Sequence, residues 1–126
     1  MNVMQEFADY STKFSPKLMS IREHLSIAIP NEETLFKEYG NKLLVAKLNV
    51  GTALADFNKY LDIATHEYMP ERTKTTTDLE RKALVEATVA PIRYFRDVCE
   101  STLETLDIKL EFMNSHYNFL KENNEL

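Results

Sequence analysis

Two long apolar seams, each advancing in steps of three and four residues, constrain this chain more than any other feature. The first runs Phe36, Tyr39, Leu43, Ala46, Val50, Leu54, Phe57, Leu61, Ala64 and Tyr68, and the second runs Ile92, Phe95, Cys99, Leu103, Leu106, Leu110, Met113, Tyr117 and Leu120. Residues three and four apart share one face of an α-helix, whereas a half-buried strand alternates by two. One short polar stretch separates the seams. The pattern predicts an all-α fold built on a long antiparallel helical hairpin. Each seam also has one place where two four-residue steps adjoin, Ala46–Val50–Leu54 and Phe95–Cys99–Leu103. Such a stutter locally unwinds a left-handed supercoil, and its presence in both seams fits helices packed alongside each other.

Local signals set the expected boundaries. Val3, Phe7, Tyr10 and Phe14 give a first short helix that stops at Ser15-Pro16, where Ser15 is a natural cap and Pro16 a natural first helical residue. A second short helix is expected through Leu18, Ile21, Leu25 and Ala28 as far as Pro30. Asn31 is the expected cap of the third helix, which runs from Glu32 to Tyr68, about 55 Å at 1.5 Å per residue. Gly40 and Gly51 lie inside it, each costing up to about 1 kcal/mol relative to Ala, so a break at either is conceivable. Gly51 could instead let another backbone approach closely. Pro70 ends the pattern. Thr77-Asp78-Leu79-Glu80 then has the Thr-x-x-Glu form of a capping box and opens the last helix. Pro91 lies well inside that helix, where a kink or a junction of two helices is expected.

At 126 residues, with two glycines and four prolines, the chain reads as one all-helical domain over residues 1–126 with little turn material. Elongated helices bury less surface per residue than a sphere, so an oligomeric helical bundle is expected to supply the remaining burial. Fifteen Lys and Arg against twenty Asp and Glu give a net charge of −5, which argues against a generally basic nucleic-acid-coating surface. Residues 1–10 do not read as a signal peptide, and no apolar run approaches the roughly 20 residues of a membrane span. A cytoplasmic protein is expected, with no membrane partner.

Little in the sequence carries chemistry. His24, His66 and His116 stand apart on separate predicted helices, without the spacing of helix-borne zinc or di-iron sites, so no metal or other cofactor is expected. Cys99, the single cysteine, falls in an apolar seam and reads as a buried hydrophobe. No phosphate-binding glycine loop or nucleophile elbow occurs, and carboxylate pairs such as Glu100 with Glu104 read as solvated faces. An enzyme is not expected. The best candidate for an anion contact is the turn Glu71 to Thr77, where Arg72 and Lys74 stand beside several hydroxyls and a helix start. Arg81 and Lys82 extend that cationic set, and Lys42, Lys47, Lys59, Arg93 and Arg96 could add a stripe with Tyr60 and Tyr94 as stacking surfaces. Residues 83–126 hold four basic against eight acidic side chains, giving a basic tip and an acidic arm.

From Leu79 to Leu120 the order of residue types resembles the T-even-phage recombination mediator UvsY. The likeness rests on the Thr-led helix start, Val85-Glu86-Ala87-Thr88, Tyr94-Phe95-Arg96-Asp97-Val98-Cys99-Glu100-Ser101, Leu103-Glu104-Thr105-Leu106 and the tail through Lys109. It extends over Asn58-Lys59-Tyr60-Leu61-Asp62, which is similar to a segment associated in that family with single-stranded DNA; Lys59 is its one cation, where the family pattern has a second. The resemblance implies a ring-like, non-enzymatic oligomer that binds single-stranded DNA and helps load a recombinase onto covered strands. Lys59, Arg72, Lys74, Arg81 and Lys82 would then be the nucleic-acid contacts. The alternative expectation is a helical protein–protein module, such as a phage adaptor, a host-factor inhibitor or a nucleic-acid mimic, working through its apolar seams and its acidic Glu100–Glu111 arm.

Overall fold

The computed structural model describes residues 2–73 and 75–122, with side chains as far as residue 118. Its described residues form three helices and no strand: α1 over Val3–Leu25, α2 over Glu33–Glu67 and α3 over Asp78–Glu122. The fold is all-α.

The N-terminal segment corrects the sequence expectation of two short helices. It is a single 23-residue helix with Pro16 inside it. Val3, Phe7, Phe14, Leu18 and Ile21 are all buried along one face, and the step from Phe14 to Leu18 carries that face across the proline. An interior proline costs about 3 kcal/mol. Burying a Phe and a Leu on either side returns about 1.5–3 kcal/mol each, so tertiary packing outweighs the local signal. Asn2 caps α1 by accepting from the Gln5 backbone N–H at 2.9 Å.

α2 runs unbroken through Gly40 and Gly51. Its cap is Glu32 rather than Asn31: the Glu32 carboxylate accepts from the backbone N–H groups of Thr34 (3.1 Å) and Leu35 (2.9 Å). Those bonds hold the Glu32 carboxyl below its ordinary pKa. A side-chain Cβ at Gly40 would lie 3.2 Å from the Met113 terminal methyl, so the glycine admits close packing by α3. The capping box opens α3, with the Glu80 N–H donating to Thr77 Oγ1 at 3.1 Å and the Thr77 N–H to the Glu80 carboxylate at 3.3 Å. α3 then continues through Pro91 to Glu122 without a junction at Ala90.

Contacts between α2 and α3 run in opposite sequence order. Phe36 meets Tyr117, Lys47 meets Asp107 and Phe57 meets Phe95. α1 lies along one side of this pair, its Phe7 ring against Phe57 and Phe95 and its C-terminal end near Tyr39 and Lys109. Phe57, fully buried, is the hub, with the rings of Phe7, Tyr10, Phe14, Tyr60 and Phe95 all within 6.5 Å of it centroid to centroid.

At the two stutters the seams share their load between neighbouring residues. Ala53 is fully buried beside half-buried Leu54, and Thr102 is buried beside half-buried Leu103. Thr102 satisfies its hydroxyl within the helix, donating to the Val98 carbonyl at 2.7 Å. Val85 and Val89 extend the second seam back past Ile92. The expected seam residue Leu120 lies outside the described side chains.

Candidate docking groove and the basic turn

The end of α1 is closed by side chains from both other helices. Tyr39 donates its hydroxyl to the carbonyls of His24 (3.0 Å) and Ile27 (3.1 Å), and the Lys109 ammonium donates to Leu25 O (2.5 Å) and Ile27 O (2.9 Å). The Lys109 bond satisfies Leu25 O, a carbonyl that the helix C-terminus otherwise leaves to water, and the bonds to Ile27 O tie the following loop to α2 and α3. The His24 ring packs on Tyr39 at 4.3 Å, and its buried Nε2 has no hydrogen-bond partner. Burial lowers the His24 pKa, and the nearby Lys42 and Lys109 ammoniums add to the shift. Cys99 is buried as expected, and burial pushes its thiol up to about 11.

The cations named from the sequence divide into three groups. Arg72 and Arg81 converge on one carboxylate, Asp78, at 3.0 and 3.3 Å, and Arg81 also donates from Nε to the Pro70 carbonyl at 2.9 Å. They fasten the turn to the first residue of α3. Lys82 joins them around one shallow depression floored by Met69. Lys59 stands exposed on α2, and Lys74 lies outside the described residues. Three cations of the additional stripe are matched within the chain: Arg93 grips Glu86 with two bonds (2.7 and 2.9 Å), Arg96 grips Asp97, and Lys47 pairs with Asp107 at 2.6 Å, while Lys42 is exposed and takes part in no ion pair among the described residues. Among the described residues no cluster of three or more His, Cys, Asp or Glu could hold a metal, and no helix is long and apolar enough to cross a membrane.

The apolar surface is a different matter. α1 covers one side of the α2–α3 pair, and a groove of about 720 Å³ runs between α2 and α3, bordered by Leu44, Leu48, Gly51, Ala55 and Leu103. Leu44 is 52% exposed and Leu48 73% exposed. Beside them Gly51 faces open space, since a Cβ built there would meet nothing within 4 Å. Leu44 also borders a second depression toward Gly40, Met113 and Tyr117, so the groove continues along α2. Two projecting leucines followed by a glycine and an alanine form a ridge and a hollow on one helix face.

Sequence reasoning did not assign this groove, because a seam search returns the most apolar stripe and stops there. The signal was a second stripe one residue out of phase with the first: Leu44, Leu48, Gly51 and Ala55 follow Leu43, Ala46, Val50 and Leu54 by one or two positions. Compared with protein-family models, with curated proteins and with solved structures, the chain matches none.

Proposed function

We propose that this protein is a non-enzymatic helical interaction module that receives another helix along the groove between α2 and α3. The observation that carries the reading is Leu48, 73% exposed next to the open space at Gly51. A helix bundle normally turns its apolar faces inward, and an extended exposed apolar strip on a small domain marks a surface that another chain covers. The helix-in-groove mode needs what this face supplies: apolar side chains at helical spacing and a hollow between them. The antiparallel α2–α3 hairpin provides the rigid walls, and assembly into an oligomeric bundle is one way of covering them.

Photo-crosslinking tests the reading. A photoreactive amino acid replacing Leu48 in the full chain is expected to give discrete adducts under cellular conditions, competed by unlabelled protein. The same group at Glu86, exposed elsewhere on α3, serves as the comparison. Adducts of equal yield from both positions, or none from position 48, would refute the groove as a docking site.

A second reading, single-stranded DNA binding by a phage-type recombination accessory protein, draws on the convergence of Arg72, Arg81 and Lys82 at one end of the molecule. Lys59 and Lys74 complete the proposed contact set. Anisotropy of a labelled single-stranded oligonucleotide should then rise saturably at low salt and fall steeply as salt is added, because each phosphate contact releases a counterion. Flat titrations at low salt would exclude it. The groove reading is preferred because Arg72 and Arg81 already share the Asp78 carboxylate.

A further inference from the structure

The groove face of α2 is bounded by a stripe that reads Lys37, Asn41, Leu44, Leu48, Gly51, Ala55, Asn58 and Asp62. All eight are exposed or half-exposed, and their alternating four- and three-residue steps keep them on one side of a helix that supercoils against a partner. The stripe is complementary to itself in reverse. Laid antiparallel on a second copy and centred between Leu48 and Gly51, it sets Leu48 against Gly51, Leu44 against Ala55, Asn41 against Asn58 and Lys37 against Asp62. Each pairing occurs twice, as a two-fold axis requires. The ridge of one copy enters the hollow of the other, and opposite charges close both ends.

We propose that the occupant of the α2–α3 groove is a second copy of this chain, joined through an antiparallel, two-fold α2–α2 contact in this register; the inference rests on the groove reading above. Lys37 and Asp62 suit the terminal role. Among the described residues Lys37 is paired only to exposed Glu33, at 3.0 Å, and Asp62 takes part in no ion pair. A second copy matches the apolar centre and the charged ends at once, by symmetry alone.

The register makes a prediction that a generic sticky surface does not. Lys37→Asp places two carboxylates opposite each other at both ends of the dimer, and Asp62→Lys places two ammoniums there. Each variant alone should associate at least tenfold more weakly than the parent. An equimolar mixture of the two should recover, because every terminal pairing in the mixed dimer joins an Asp to a Lys. Sedimentation equilibrium of the full-length proteins over a wide concentration range reads both effects, with circular dichroism to establish that helix content is unchanged. Gly51→Leu, which has room within its own chain, should also dissociate the dimer by filling the hollow.

Parent protein that remains monomeric throughout the range would overturn the proposal, as would a dimer indifferent to the single charge reversals or one that the mixture fails to restore. Failure here is separable from failure of the groove reading. A monomer that still yields Leu48 adducts with other proteins would keep the groove and lose the second copy, whereas a monomer without adducts would lose both.

Discussion

Replacing Pro16 with Ala should stabilise the protein, and by an amount the structure allows to be worked out. Pro16 is exposed in the middle of α1, so its ring contributes nothing to the core. The substitution restores a backbone N–H that can donate to the Thr12 carbonyl and removes the clash of the ring with that carbonyl, together about 3 kcal/mol. Against this, the unfolded chain gains freedom worth about 0.4–1 kcal/mol. The net gain is about 2 kcal/mol. Unfolding entropy near 2.1 cal/mol/K per residue gives about 0.26 kcal/mol/K for a chain of 126 residues, so Tm should rise by about 8 °C. Thermal unfolding followed by far-UV circular dichroism measures it, with parent and variant at equal concentration because association also shifts Tm. If Pro16 instead began a separate helix with Ser15 as its cap, the substitution would remove a favourable first residue. An unchanged or lowered Tm would therefore refute the continuous α1.

Other expectations follow from single buried groups. Phe57→Ala empties the centre of a six-ring cluster and should cost about 3–5 kcal/mol, read from the urea midpoint; a loss below about 1 kcal/mol would mean the three helices do not meet there. His24 has its pKa lowered by burial in the folded state, so the unfolded chain takes up the proton first as pH falls. The stability supplied by neutral His24 is complete above the unfolded value of about 6.5 and is lost as pH drops from there toward the lower folded value. Comparing Tm at pH 7.5 and 5.5 for the parent and for His24→Gln tests this, and an equal pH dependence in both would contradict it. Cys99, with its thiol raised to about 11, should resist a thiol-specific chromogenic reagent in the native protein and react fully in denaturant. Rapid native labelling would show that the helices open readily around it.

The helical class, the extent of α2 and the start of α3 were legible in the sequence because each is fixed by neighbours along the chain. Seam periodicity depends only on which residues share a helix face. The Thr77–Glu80 cap is made by residues three apart. Burial of Cys99 followed from its place in a seam. The continuity of α1 was not legible, although Phe14 and Leu18 stood four residues apart on either side of Pro16. Whether a proline breaks a helix depends on what the flanking side chains bury against, and α2 and α3 provide that surface. The same holds for Arg72 and Arg81. Their sequence advertises positive charge near a turn, but only the folded turn brings Asp78 between them. The groove was decided by tertiary structure as well: α1 covers one side of the α2–α3 pair and leaves Leu44, Leu48 and Gly51 uncovered, a choice set by three-dimensional packing rather than by the order of residues along α2.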